Sequence, residues 1–141
     1  MENFNIESYN KSLDINDFDI SFVKGLSLED GASTITDYSS SLIAKGIKYT
    51  NSINSLLTIK CLVCGGGRKN QYLIDGIKKN ITYFKKILLE PIENYGIDGD
   101  FVESQAFGFL AIRTFLDLPI SFPETTRCKK PLTGGVIIKN F

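Results

Sequence analysis

The residues best suited to chemistry lie in one short stretch, where the apolar run Thr58–Cys64 ends in the consecutive glycines Gly65, Gly66 and Gly67. A helical pattern begins directly behind them, near Asn70. Glycine lacks the Cβ that would block a close approach, and a helix N-terminus presents free N–H groups and the positive end of its dipole. Three glycines can also form a purely structural tight turn, but their position after a strand favours a loop that faces a phosphate or a nucleotide.

Cys61 and Cys64 form a C-x-x-C spacing just before the glycines. A redox pair of this kind sits at a helix start, and a zinc site needs a second pair of cysteines or histidines. Both cysteines belong instead to the predicted strand, three positions apart and therefore on opposite faces. We interpret them as plain buried cysteines.

Two glutamates are candidates for contact with a substrate. Glu103 follows Asp100 by three residues at the start of a predicted helix, a spacing typical of a capping box, in which the glutamate is structural. The same helix end can also direct Glu103 at a substrate, and the spacing leaves both interpretations open. Glu90 ends the next predicted strand, which is the outline of a nucleoside-binding α/β domain, such as a methyltransferase or dinucleotide binder, that holds ribose hydroxyls.

The composition narrows the chemistry further. Sixteen basic residues balance sixteen acidic ones among 141 residues, so no charged surface for nucleic acid or an anionic membrane is expected. The sequence has no histidine, which excludes imidazole catalysis and His-ligated metal. We expect no membrane span, no bound metal held by this chain and no signal peptide in the acidic, polar N-terminus. Three scattered cysteines favour a reducing compartment, and the cytoplasm is the expected location.

Hydrophobic periodicity predicts a mixed α/β chain whose elements position these residues. The predicted elements are a helix from a Ser27 N-cap to about Asn51, a buried strand Thr58–Cys64, a helix from Asn70, a strand Ile87–Glu90 stopped by Pro91, and a helix opened by an Asp100 N-cap. The order strand, helix, strand predicts a right-handed βαβ unit with parallel strands.

Three further expectations concern burial and the chain ends. The serines Ser39–Ser41 are expected on a solvated face of the first helix, and the third helix, apolar nearly all round, is expected to be buried on most sides. Beyond Pro119 and Pro123 we expect a linker and then an edge strand at Thr133–Ile138. Residues 1–24 have no periodic apolar face, so we interpret them as a lead-in segment and residues 25–141 as the domain.

Several blocks taken together resemble anhydro-N-acetylmuramic acid kinases. They are Val63–Asn70, with its glycines, arginine and asparagine, the block Tyr95–Arg113, the segment Ser27–Ile35 and the small-residue tail Leu132–Val136. The resemblance runs over nearly the whole chain from about residue 10, and it is to the C-terminal portion of the family only.

The resemblance implies an α/β fold that is the C-terminal lobe of a two-lobed actin/hexokinase-like (ribonuclease H-like) ATPase. Such a kinase uses ATP, with Mg²⁺, and water to open the anhydro ring of 1,6-anhydro-N-acetylmuramic acid and phosphorylate O6, in cytoplasmic recycling of peptidoglycan. By this resemblance Gly65–Gly67 and Asn70 bind the nucleotide and Glu103 binds the sugar, which favours the functional interpretation of Glu103. Residues 1–24 would come from the lobe interface.

The family's members are much longer, and this sequence has no Gly-Thr-Ser phosphate loop. The resemblance places that loop and the aspartate general base in an N-terminal lobe, so we expect no catalytic residue in this chain and negligible kinase activity alone. We also expect an exposed apolar docking surface that favours self-association, a separately encoded N-terminal lobe as partner, and the anhydro-sugar as substrate. The alternatives are a non-functional remnant, a partner subunit of a split kinase, another carbohydrate kinase, or a nucleoside-binding α/β domain.

Overall fold

The computed structural model describes residues 15–53, 58–84 and 87–139 and confirms the mixed α/β class. The elements, in chain order, are α1 (Leu28–Ile53), β1 (Ile59–Val63), α2 (Gln71–Ile81), β2 (Ile87–Pro91), α3 (Val102–Phe115) and α4 (Pro123–Thr126). Short 3-10 turns cover Ile15–Asp17, Ser21–Val23, Gly66–Lys69 and Ile92–Tyr95. Of the predicted lead-in at 1–24, residues 1–14 lie outside the described part of the chain, and the proposed division at residue 24 stays a prediction.

The start of α1 is set by the predicted serine cap. The Ser27 hydroxyl oxygen accepts a hydrogen bond from the Asp30 N–H at 3.0 Å, which satisfies one of the free N–H groups of the first turn. The reciprocal bond differs from a capping box, because the Ser27 hydroxyl donates to the Asp30 carboxylate at 2.9 Å. Gly25, at φ +84°, turns the chain just before this cap.

The predicted strand–helix–strand unit is present, with β1 and β2 paired in parallel from Ile59 opposite Ile87 to Val63 opposite Pro91. The buried core lies between this sheet and the helices, and α2 packs against α1. Its buried apolar side chains among the described residues are Ala44, Ile77, Ile81 and Ile87. Because β1 and β2 are parallel, both strands end at the same edge of the sheet, and the two following loops come together there.

One expectation for β1 was wrong, namely that the strand would be buried on both faces. Burial alternates along it, because Cys61 packs against the core while Leu62 is 44% exposed. Leu88 on β2 is 42% exposed as well. Within the described residues only one face of this sheet is covered by helices, and the other face is open.

The serine triplet Ser39–Ser41 was expected on a solvated face, and this was wrong for Ser40, which is fully buried. Its hydroxyl donates to the Asp37 carbonyl at 2.8 Å, so the buried oxygen is satisfied within α1. Gly76 of α2 lies directly opposite, and a Cβ built there would stand 2.7 Å from the Ser40 Oγ and 2.9 Å from its Cβ. Two small residues thus allow α1 and α2 to approach closely.

We expect Gly76→Ala to destabilise the chain by about 1–2 kcal/mol, since the cost of overpacking exceeds the gain in helix propensity. The matched control is Gly31→Ala in α1, where an added Cβ meets nothing within 4 Å. That control should stabilise by up to about 1 kcal/mol. Urea unfolding followed by circular dichroism measures both, and equal stabilisation of the two variants would contradict the close helix contact.

Two expectations for α3 were wrong. It was expected to be buried on most sides, but several of its large apolar side chains are more than half exposed: Phe107, Phe109, Ile112 and Phe115. It was also expected to be capped by Asp100, whereas the residue at the N-cap position is Phe101 and no side-chain cap bond forms. Among the described residues, these four side chains therefore stay largely uncovered.

The segment after α3 contains no strand at 133–138, so that prediction was wrong. The chain makes a single antiparallel bridge between Ser121 and Leu132 within the described residues, and the Thr114 hydroxyl donates to the Gly134 carbonyl at 2.9 Å. Val136 is 89% exposed. The tail therefore lies along the C-terminal end of α3 and joins no sheet among the described residues.

Candidate functional site

The candidate site lies at the edge of the sheet where β1 and β2 end. The glycine loop follows β1, and the loop from Ile92 to Asp100 follows β2. The Gly65 N–H donates to the Gly99 carbonyl at 2.9 Å, so the two loops are joined by their backbones. Ligands of open α/β sheets bind outside this carboxyl edge, where the sequence placed the site.

The glycine loop is open on its outer side. Gly65 has φ +77°, a backbone conformation that disfavours other residues, and Gly66 and Gly67 begin a 3-10 turn. A Cβ built on Gly66 would meet nothing within 4 Å, while one on Gly67 would touch only Leu73, at 3.7 Å. Packing within the described residues therefore does not require glycine at position 66, and the absence of a side chain leaves the backbone accessible.

Asn70 lies at the N-cap of α2, as predicted from its position behind the glycines. Its side-chain oxygen accepts a hydrogen bond from the Leu73 N–H at 3.1 Å, so it has a structural role. The capping bond engages the side-chain oxygen, and the contact of Asn70 with a nucleotide stays a prediction.

Arg68 is the residue that sequence reasoning missed. Its Nε donates to Glu93 at 2.6 Å, and its Nη1 donates to Asp100 at 2.7 Å and to the Gly65 carbonyl at 2.8 Å. The side chain is only 12% exposed, and Asp98 lies 4.0 Å from its Nη2. A signal was present in the sequence, because three acids occur within the eight residues from Glu93 to Asp100 after a loop that contains one arginine.

These contacts set the charge states of the cluster. Hydrogen bonds from Arg68 and then from Lys69 hold the pKa of Asp100 well below its ordinary value. The pKa of Glu93 is lowered by its own backbone N–H and then by Arg68. The pKa of Arg68 is raised, chiefly by its hydrogen bond to Asp100. All three groups are therefore ionised across the physiological range.

We expect the contact between the two loops to be insensitive to pH from about 8 to 5. Because the carboxylate pKa values are lowered, their pairing contributes stability above the ordinary values of 4.5 and 3.8 and loses it only as the pH falls through the folded values. The sequence contains no histidine, the side chain that ordinarily titrates in that window. Amide chemical shifts of Gly65 and Gly99 measure this, and a titration step inside the window would contradict it.

Glu103 lies in the first turn of α3 and is exposed. The predicted capping box with Asp100 does not form, because the Asp100 carboxylate pairs with Arg68 and with Lys69 at 2.7 Å each. Among the described residues no hydrogen bond or ion pair joins Glu103 to the glycine loop. The structural interpretation of Glu103 as a capping residue is thereby removed, and its contact with a sugar stays a prediction.

Glu90, the residue of the rival hypothesis, is engaged by the loop that follows β2. Its carboxylate accepts a hydrogen bond from the Tyr95 hydroxyl at 2.8 Å, and that hydroxyl accepts one from the Lys60 ammonium at 3.1 Å. Lys60 alternates with the core-facing Cys61, so this chain of bonds lies on the open face of the sheet. The structure thus gives Glu90 a local partner that holds the end of β2 to the following turn.

The two cysteines of the C-x-x-C spacing differ in environment. Cys61 is half-buried against the core, and burial raises the pKa of its thiol. Cys64, just before the glycines, is exposed, so the expectation that both would be buried was wrong for it. Both are free thiols. The strand ends at Val63, and Cys64 therefore lies in the loop rather than in the sheet.

Within the ranges 15–53, 58–84 and 87–139, no group of three or more histidine, cysteine, aspartate or glutamate side chains is placed to hold a metal ion. Over the same residues, no helix has the length and apolar content to cross a membrane.

Comparison with known proteins gives one consistent result. A family model described as anhydro-N-acetylmuramic acid kinase matches residues 1–140. A protein of that name from Pelagibacter ubique is 52% identical over 145 residues, covering 100% of this chain and 38% of the relative. One from Rhizorhabdus wittichii is 40% identical over 126 residues (89% and 32%), and one from Zymomonas mobilis is 38% identical over 127 residues (90% and 33%). The chain spans well under half the length of these relatives.

Proposed function

Because the chain belongs to the anhydro-N-acetylmuramic acid kinase family, we propose that it forms the C-terminal wall of a cleft in which ATP phosphorylates 1,6-anhydro-N-acetylmuramic acid. In this proposal Gly65–Gly67 and Asn70 face the nucleotide and Glu103 faces the sugar. The fold would be the C-terminal lobe of an actin/hexokinase-like kinase acting in the cytoplasm, in recycling of peptidoglycan.

The observation that supports the proposal most directly is the accessible glycine loop at the carboxyl edge of the parallel strands. Gly66 leaves room for a group the size of a phosphate to approach the backbone, and the α2 N-terminus lies behind it with its positive dipole end. A neutral amide, Asn70, fixes that helix end. This arrangement can bind and orient phosphate groups.

The carboxylates near the glycine loop are poorly suited to abstracting a proton. The described residues near the loop are ion-paired carboxylates, and Glu93 and Asp100 are held in their charged forms by Arg68. A carboxylate whose pKa is lowered in this way is a weak base. We therefore propose that the general base belongs to the part of the family's length that this chain does not span, and that the chain alone has negligible kinase activity.

Magnesium, which neutralises charge on the phosphates in kinases, would arrive with the nucleotide. The carboxylates of Glu93 and Asp100 already have cationic partners. The chain's own contribution would be the backbone of the glycine loop and the α2 N-terminus, which hold the phosphates.

Titration of the purified chain with ATP, followed by amide chemical shifts, tests the proposal. We expect weak binding with the largest shifts at Gly65–Gly67, and we expect Gly66→Val to weaken it by about tenfold or more, because a branched side chain would block the approach. The fold should tolerate that change, since a Cβ added at position 66 meets nothing within 4 Å.

The matched control is Gly31→Val on α1, where an added Cβ also meets nothing within 4 Å. It should leave ATP binding unchanged. Binding of ATP that is equally strong in Gly66→Val and in the unaltered chain would contradict the assignment of the loop. No binding at millimolar ATP would contradict the proposed nucleotide site as a whole.

A further inference from the structure

We propose that Arg68 is a positioning residue that couples the two halves of the proposed cleft, by holding the glycine loop and the start of α3 in one fixed arrangement. This inference rests on the proposed function, because it takes Gly65–Gly67 as the nucleotide side and Glu103 as the sugar side. Arg68 itself would touch neither ligand.

The first argument is the reach of the guanidinium group. Arg68 belongs to the loop after β1. Glu93 and Asp100 belong to the loop after β2, 25 and 32 residues further along the chain. Two different edges of the planar group serve these two acids, and Nη1 also binds the carbonyl of Gly65, the first residue of the glycine loop. Only a side chain with several donors in a rigid plane can make these three contacts at once.

The second argument comes from Gly99, which is buried beneath the arginine. A Cβ at this position would lie 2.7 Å from both the Arg68 Nε and the Glu93 Oε1, closer than such atoms approach. The Gly99 carbonyl also accepts the Gly65 N–H. The second loop therefore presents a glycine where the arginine crosses it, and the loops are joined by one backbone bond and by the ion pairs above it.

The third argument is the short path from Asp100 to Glu103. The Asp98 side chain accepts the Asp100 N–H at 2.9 Å, the Asp98 carbonyl accepts the Phe101 N–H, and the Phe101 carbonyl accepts the Gln105 N–H. Each residue between the ion pair and the first turn of α3 is thus held by its backbone. A shift of Arg68 would be passed to Glu103 over three residues.

The consequence is an energetic link between two binding sites. If ATP orders the glycine loop, Arg68 transmits that order to the start of α3, and sugar binding there becomes more favourable. Thermodynamic linkage makes the effect reciprocal. Lys69 cannot provide this link, because it reaches only Asp100 and is 63% exposed.

The test uses the 141-residue chain with the variants Arg68→Lys and Gly99→Ala, and with Lys69→Ala as a control that removes a charge from the same cluster. Gly99→Ala displaces the guanidinium while keeping every charge. Two quantities are measured by NMR: hydrogen exchange of the Gly65 amide, and the change that saturating ATP produces at the Glu103 amide.

We expect Gly65 exchange to accelerate by about tenfold or more in Arg68→Lys and Gly99→Ala, while the Ile77 and Ile81 amides in the core change little. The ATP-induced change at Glu103 should disappear in both variants and persist in Lys69→Ala. A purely structural arginine would instead accelerate exchange at Gly65 and in the core by the same factor, and the ATP response at Glu103 would survive; that result would overturn the proposal.

The exchange measurement needs no ligand, so it separates this inference from the proposed function. If the unaltered chain binds no ATP, the nucleotide assignment is wrong and the coupling of the two ligand sites falls with it, while local acceleration at Gly65 would still assign Arg68 to the joint between the loops. If ATP binds and Gly65 exchange is the same in all four proteins, Arg68 does not position the loop and the inference is wrong.

Discussion

Mixing the chain with the N-terminal portion of its Pelagibacter ubique relative is expected to raise ATP-dependent phosphorylation of 1,6-anhydro-N-acetylmuramic acid by about a thousandfold or more over either part alone. The chain spans 38% of that relative, so the remaining portion would supply the other wall of the cleft. Holding two reactants between two walls accounts for several orders of magnitude in rate, which is why the expected gain is large. Release of ADP in a coupled assay measures it.

The mixture containing Gly66→Val is the control for this experiment, because that variant keeps the docking surface and alters only the glycine loop. It should remain near the rate of the separate parts. Robust turnover by the 141-residue chain alone would contradict the proposal that the general base lies elsewhere, and a mixture in which the two parts associate without any gain in rate would contradict the shared cleft.

The exposed apolar side chains of α3 offer a surface for such an association. Phe107, Phe109, Ile112 and Phe115 are each more than half exposed, and exposed apolar area of this kind marks a contact with another protein. The chain alone should therefore bind a hydrophobic dye and self-associate, and both effects should fall when the other portion is added. A monomeric chain that binds no dye would count against this surface.

Ile77→Ala is expected to have the largest effect on stability, about 2–5 kcal/mol, because the truncation leaves a cavity in the core. Ile77 is 3% exposed and belongs to a buried cluster that also contains Ala44, Ile81 and Ile87. A loss of that size is a large part of the total stability of a small domain, so the variant should be partly unfolded at room temperature. The midpoint of urea unfolding measures the change.

Ile112→Ala is the matched control, since the same side chain is removed from a position that is 61% exposed. Its free energy of unfolding should fall by less than about 0.5 kcal/mol. In the mixing experiment Ile112→Ala should weaken association with the relative's N-terminal portion, because it truncates an exposed apolar side chain of α3. Equal loss of stability in both variants would mean that the core lies elsewhere.

Local signals were sufficient to predict much of the α/β architecture. The Ser27 cap, the Asn70 helix start and the order β1, α2, β2 depend on residues within a few positions of each other, where capping and periodicity act. The parallel pairing follows from the length of the connection, which is too long for a hairpin and suits a crossover helix.

The errors concern contacts between distant or missing partners. The burial of Ser40 depends on Gly76, 36 positions away, and no local pattern in α1 reports it. Arg68 pairs with acids 25 and 32 residues away, beyond the range of any motif. The expected burial of α3 was wrong, because among the described residues several of its large apolar side chains stay exposed. Its apolar composition is nevertheless typical of a helix that packs against further protein.

The exposed thiol of Cys64 offers a practical advantage for all of these measurements. It directly precedes Gly65, while the other thiol of the pair, Cys61, is half-buried and its pKa is raised, so less of it is present as the reactive thiolate. Cys128 is also half-buried. A maleimide fluorophore should therefore couple to Cys64 first in the unaltered sequence, and its emission would report ligand arrival at the glycine loop without an engineered attachment point.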